Sequence, residues 1–451
     1  MIDLPPKPRS RPEKYSFLKY LKAFRQDILS AQPNHLYRAW MAEFRTLFFH
    51  SFLINQPALI QLVLQQRPDD FPKSSRIATG LYSLLGDSVF LTTGSTWQRQ
   101  RRIVNPAFEG GGRLKQAFPA IQAAGDAFLA ELSPGTVDVE PLASKLAADV
   151  IFRTLFSVPI EDKTASKVFD AFRTYQRQQP VVNLPALVPV LRWLPFWQNR
   201  RVKRSALEIR GLITHLTHIR QDQIAAGRAP QDLATRLLST QDPETGTRLS
   251  LSEMVDQVMI FFLAGHETSA AALSWALYLL ARYPQFQDQL AQEAAHLTGS
   301  EDFAAMRNLP FNRDVFRETL RLYPPVPMMV REVKQRGEVF RGRRVPKNSL
   351  IIISPWYVQR QNRIWERPDE FDPMRWQEMP IVDCQRQAFL PFSSGPRICP
   401  RAGFAMIEGP YLLARIVQKY RLSCRDLPVP QPLAHLTLRA RSGIYLRFDP
   451  R

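Results

Sequence analysis

The sequence is poor in cysteine, in acidic residues and in long apolar runs, and each shortage narrows what the chain can be. Three cysteines in 451 residues, Cys384, Cys399 and Cys424, are too few and too bunched for a disulfide framework. No apolar run reaches the roughly 18 uncharged residues that mark a membrane-spanning helix. The best candidate, Thr46 to Leu64, is broken by His50, Asn55 and Pro57. The opening MIDLPPKPRSRPEKY is proline-rich and basic and lacks the apolar core of a signal peptide, so a cytoplasmic protein is expected. Gly/Ser-rich linkers, internal repeats and low-complexity tracts are missing as well. Length alone suggests roughly three domains, at about 150 residues each, but nothing supports cutting the chain. One large, mostly helical, monomeric unit over residues 1–451 is the simpler expectation, with 1–44 a basic segment leading into it.

The shortage of acids leaves a net charge of +19, which calls for a negatively charged partner: nucleic acid, an anionic membrane surface or an acidic protein. The bases are spread along the chain and no DNA- or RNA-binding motif accompanies them. An acidic protein partner or a weak membrane association therefore fits better than nucleic acid. Hydrophobic residues at 45% against 22% charged provide for a large buried core.

Local patterns give a mainly α chain with a smaller β region. Arg45 to Ile54 reads as a short strand, and Asn55-Gln56-Pro57 as the cap of a following helix with proline in its first turn. Helical periodicity runs from about Ser144 to Gln223, interrupted by Pro180 to Trp197, whose four prolines and apolar residues suit either a packed inter-helix loop or a flexible lid against greasy substrate or membrane. Ser250 and Glu253 form an S-x-x-E capping box. The apolar stripe Leu251, Val255, Val258, Phe262, Leu273, Leu277 and Leu280 carries that helix to Tyr283-Pro284, some 33 residues and about 50 Å. A second helix ends at RETLRLYPP, Leu350 to Ile353 reads as a strand, and LTLRARSGIYLR reads as a C-terminal hairpin.

The segment Phe392-Ser-Ser-Gly395-Pro-Arg397-Ile-Cys399 places one cysteine after a glycine-containing loop and before a helical stretch, Ala402 to Tyr420. Amides at a helix start stabilise a thiolate, and a thiolate there can ligate haem iron. Gly395 would permit a tight turn and Arg397 would neutralise a haem propionate. Alone, such a cysteine is more often a buried structural one. Glu318 and Arg321 share a helix face and can pair, as helix residues commonly do. Ala264-Gly265-His266-Glu267-Thr268-Ser269 interrupts an apolar helix with polar residues, either as a proton-handling site or as a kink with Thr268 bonded back to its own helix. A zinc-protease reading of His266-Glu267 fails because position 270 is Ala, which removes the second histidine. Trp97 and Arg101, at i and i+4, could face one anion together or belong to a solvated basic face with Arg99 and Arg102.

Taken in order, these segments resemble the cytochrome P450 family from about residue 45 to the C-terminus. Phe392 to Cys399 matches its haem-binding FxxGxRxC, Glu318 to Arg321 its ExxR, Ala264 to Thr268 its AGxET and Trp97 to Arg101 its WxxxR. The resemblance implies the cytochrome P450 fold, haem b as cofactor and Cys399 as iron ligand. It also implies an ion-pair triad of Glu318 and Arg321 with Arg375, bracing the cysteine loop. Trp97, Arg101, Arg331 and Arg397 would serve the propionates, with Phe392, Gly395, Ala264 and Gly265 beside the haem. Thr268 and Glu267 would handle oxygen and protons, and Phe261, Val326, Met328 and Met329 would line the substrate pocket. The implied activity is O2 activation and insertion of one oxygen atom into a lipophilic substrate, with electrons from an acidic ferredoxin or flavodoxin-type donor and its reductase. AGHETS and FAMIEGPYLL look most like bacterial fatty-acid and carotenoid hydroxylases. A peroxide-using or isomerising relative, a non-catalytic haem sensor and a nucleic-acid binder are the rival readings. One position departs from the pattern: two residues after the cysteine, Arg401 stands where the signature has glycine. Arg401 is expected either to disturb packing there or to face outward with Arg99 and Arg102 as a docking face.

Overall fold

In the computed structural model, the described residues are 4–13, 16–45, 50–178, 200–299, 301–378 and 382–451. The Pro180–Trp197 stretch lies outside them. The backbone divides into two compact units, a helical one (residues 73–130 and 144–267) and a mixed one (residues 1–72, 131–143 and 268–451).

The helical unit includes α1 (Gly94–Phe108), most of α2 (Val139–Phe156), α3 (Lys163–Gln178) and the first half of α4 (Leu251–Arg282). The capping box forms as its spacing requires. Ser250 N donates to Glu253 Oε2 at 2.9 Å and Glu253 N donates to Ser250 Oγ at 3.2 Å, satisfying two amides at the start of α4. Phe262 locks α4 to α2 and α3, its ring centroid 4.9 Å from Phe152 and 4.5 Å from Phe172. These offset contacts add to the burial of three large apolar side chains. His266, one turn on, is buried and its Nε2 meets Ser144 Oγ at 2.6 Å.

The mixed unit is built on a four-stranded sheet in the order β1-β2-β7-β4. Its strands are β1 (Met41–Arg45), β2 (His50–Ile54), β7 (Leu350–Ile353) and β4 (Met329–Glu332). The run expected as one strand, Arg45 to Ile54, is the meeting of two: Met41 pairs with Ile54 and Arg45 with His50, antiparallel. His50 Nε2 reaches Glu43 Oε1 at 2.6 Å across that pair, a polar link the apolar run concealed. β2 and β7 run parallel, Phe52 beside Ile351 and Ile54 beside Ile353, over a core that includes Val63 and Trp365.

LTLRARSGIYLR is not a hairpin. β10 (Leu438–Ala440) pairs with β9 (Pro432–Ala434), whereas β11 (Tyr445–Pro450) joins β3 (Gly135–Asp138) and β8 (Tyr420–Ser423). Carboxylates decide it. Asp138 Oδ1 accepts from Ile444 N at 3.1 Å and Glu140 Oε1 from Ala440 N at 2.8 Å, holding the ends of the intervening turn apart.

Two further helices of this unit carry the site, α5 (Pro310–Leu322) and α6 (Ala402–Lys419). Behind α5, Tyr323 stacks flat on Trp275 of α4, centroids 4.0 Å apart and planes 6° from parallel.

Candidate active site

The cysteine loop is a tightly closed turn. Gly395 has φ of +73°, and a Cβ there would strike the Leu64 carbonyl, so only glycine fits both the conformation and the space. Ile398 N donates to Gly395 O and Cys399 N to Phe392 O, each at 3.0 Å, which brings the cysteine back beside the start of the loop. Cys399 is half-buried, and α6 begins three residues later. Amides at the start of such a helix favour a negative charge nearby.

Glu318 and Arg321 form a fully buried bidentate pair: Arg321 Nε donates to Oε2 at 2.8 Å and Nη2 to Oε1 at 2.7 Å. The triad is complete, because Arg375 Nε lies 3.4 Å from Glu318 Oε1. Trp376 Nε1 and the Asp372 amide also donate to that carboxylate, both at 3.1 Å. Burial pushes the Glu318 carboxyl up, but Arg321, Arg375 and the Asp372 amide outweigh it and hold the group below the usual range. Arg321 spends its remaining donors on the carbonyls of Gln359, Pro368 and Glu370 at 2.7–2.9 Å.

The residue that carries this network toward the cysteine loop is Gln359, which sequence reasoning missed. Its Nε2 donates to Leu320 O and Arg321 O, both at 2.9 Å, and its Oε1 accepts from Leu390 N at 2.7 Å. Leu390 lies two residues before Phe392. No spacing rule connects 321, 359 and 390; only the fold does.

Along α4, Ala264 is exposed although Phe261, Phe262, Leu263, Gly265 and His266 around it are buried, and Glu267, Thr268 and Ser269 are half-buried. A small, open position amid an otherwise buried helix leaves room for a flat group against the backbone. Gln176 Nε2 of α3 donates to Glu267 Oε1, a second partner the sequence did not reveal. Phe261 is buried edge-on to Phe108, centroids 5.1 Å apart. Val326, Met328 and Met329 are half-buried, and Met329 packs against the core of the β-sheet.

Arg331 is a buried cation on β4, only 5% exposed. Among the described residues it has no carboxylate partner; its Nη1 donates to the Val330 carbonyl at 3.2 Å. Burial alone lowers its pKa to about 10, so it remains charged at neutral pH. A desolvated guanidinium without an acid is suited to a ligand's carboxylate. Arg397 is half-buried in the cysteine loop, and Trp97 and Arg101 are half-buried on α1 in the other unit. Within the mixed unit, a thiol in a closed loop before a helix and a buried arginine that no acid of the described residues neutralises suit haem and a propionate.

Arg401 does not face outward. Its side chain is 11% exposed and its Nη2 lies 3.4 Å from Glu408 Oε2. Arg99 and Arg102 are likewise engaged, with Glu253 and Asp242. The expectation of a shared docking face of free arginines is overturned, because a carboxylate claims each one.

The family model described as Cytochrome P450 matches residues 5–448. Cyclooctatin synthase of Streptomyces melanosporofaciens is 31% identical over 78% of this chain and 77% of its own length. Cytochrome P450 4F2 of Homo sapiens is 27% identical over 92% and 83%. Among solved structures, the haem domain of cytochrome P450DA superposes with a TM-score of 0.80, at 23% identity over 99% of this chain and 98% of that one.

Proposed function

Because the chain belongs to the cytochrome P450 family, whose members are haem-thiolate monooxygenases, we propose that it oxygenates a lipophilic substrate using Cys399 as iron ligand and Thr268 with Glu267 as its proton-handling pair. Thiolate-bound haem supplies the one-electron chemistry that activates O2. The chain's own residues do the rest. Gly395 and the 3.0 Å bond from Cys399 N to Phe392 O fix the loop that presents the sulfur. Glu318, Arg321 and Arg375 brace it from behind through Gln359. By the family's motif positions, Arg331, Arg397, Trp97 and Arg101 would be the cations and donors for the propionates. Thr268 Oγ1 donates to the oxygen substrate, and Glu267, held by Gln176, returns the proton. The half-buried apolar side chains of Val326 and Met328 favour a lipophilic substrate. The net charge of +19 suits an acidic ferredoxin or flavodoxin-type electron donor.

The observation that carries this reading is Arg331, a buried charge that no acid of the described residues neutralises. The test of the ligand is Cys399→Ser. The variant should lose the thiolate-type Soret band of the reduced carbon-monoxide complex while remaining folded by circular dichroism. Retention of that band would remove Cys399 from the iron.

A further inference from the structure

The position that departs from the haem-loop signature has been put to use. Arg401 caps the start of α6 with φ of −89°, a conformation open to any L-residue, so glycine is not required there by the backbone. Its guanidinium lies 5.6 Å from the Phe404 ring centroid. It ends 3.4 Å from Glu408 Oε2. Seven residues are two helical turns, which puts Arg401 and Glu408 on one face of α6.

Glu408 needs that charge. Its side chain is 3% exposed, and the next residue, Gly409, is pressed against the Phe316 ring so closely that a Cβ would clash. Burial raises the Glu408 carboxyl above its usual range, and Arg401 and a hydrogen bond from the Ser269 side chain offset only part of that. Ser269 directly follows Thr268 on α4. A chain of contacts therefore runs from the residue two beyond Cys399, through Glu408, to the residue one beyond Thr268.

We propose that Arg401 is a positioning residue: by neutralising Glu408 it keeps that carboxylate as acceptor for Ser269, and so ties the start of α6 to α4 beside the oxygen-handling threonine. The inference rests on the reading of Cys399 and Thr268 given above. An arginine that merely replaced glycine without consequence would be exposed or paired at the surface. This one is paired inside, to a carboxylate that would otherwise be buried and unneutralised.

The test is a double-mutant cycle on the haem-loaded protein with Arg401→Gly, Glu408→Gln and both together. Haem transfer to an acceptor protein and the haem reduction potential are the readouts. Arg401→Gly should speed haem loss about ten-fold, the scale on which partners of metal ligands act. At a pH high enough to keep Glu408 ionised without its partner, it should also lower the potential, since a negative charge left unneutralised disfavours reduction. Adding Glu408→Gln should restore most of both, because an amide accepts from Ser269 without a counter-ion. Arg401→Lys should stay close to wild type, and Arg401→Met takes the place of the glycine variant if that one does not accumulate. Equal behaviour of wild type and Arg401→Gly, or strictly additive effects of the two changes, would overturn the proposal. The thiolate band should persist in every Arg401 and Glu408 variant. Its persistence in Cys399→Ser would instead sink the ligand assignment, a separate failure.

Discussion

Replacing Gln359 with methionine keeps the side chain's length and deletes every polar atom at its end. Three bonds vanish: two from Nε2 to the carbonyls of Leu320 and Arg321, and one from Leu390 N to Oε1. Gln359 is 0% exposed, so water cannot take their place without opening the core. At about 1 kcal/mol for each bond, with a further 1–3 for an amide left buried and unpaired, the loss should be about 4–6 kcal/mol. That is a large part of the 5–15 kcal/mol or so by which domains are stable. Urea unfolding of wild type and variant would read it as a shift in midpoint at unchanged slope. Because Leu390 leads into the cysteine loop, the reduced carbon-monoxide complex should also show a smaller fraction in its thiolate form. A variant within about 1 kcal/mol of wild type, with the thiolate fraction intact, would refute Gln359 as the link between the buried triad and the loop.

Arg331→Leu should have opposite effects on the empty and loaded protein. Removing a buried, unneutralised guanidinium should stabilise the haem-free chain by about 1–3 kcal/mol, yet haem should dissociate faster; thermal unfolding of both forms together with haem transfer checks this. The sign follows from the shift. A cation whose pKa falls on folding, to about 10 here, opposes folding at every pH where it is charged in both states, and that opposition fades only as the pH rises through 10. Thr268→Ala should consume reducing equivalents while releasing peroxide in place of product. Product formed per electron pair, measured against peroxide, decides it, and unchanged coupling would remove Thr268 from oxygen handling.

The parts of the site that were legible in the sequence are those whose partners lie within a helical turn or a loop. Glu318 and Arg321 are three residues apart and meet because a helix makes them meet; Gly395 and Cys399 belong to one turn. Arg375 was placed only through the family pattern, and the structure puts it on Glu318 as that pattern implies. Gln359 and Gln176 were invisible for the opposite reason. Their partners lie 31–39 and 91 residues away, and a glutamine carries no charge or periodicity to advertise the meeting. The false hairpin at the C-terminus has the same origin. Its alternation was real, but Asp138 and Glu140, some 300 residues earlier, decided which strands it joined. Arg401 was noticed as a departure, yet its direction depended on Glu408, whose burial no local pattern discloses.

The parallel pairing of β2 with β7 also sets a timetable for synthesis. Ile54 finds its neighbour at Ile353, so the strand Phe52-Leu53-Ile54 leaves the ribosome about 300 residues before the strand that covers it. At roughly 5–20 residues per second that wait is about 15–60 s. Throughout it, an apolar edge stands open to mispairing. His50, Asn55 and Pro57 flank that strand closely, and residues of this kind discourage a strand from extending or pairing with copies of itself. Overproduction of the chain is therefore expected to be governed less by the stability of the finished fold than by the nascent chain's ability to keep one short strand to itself until its last third arrives.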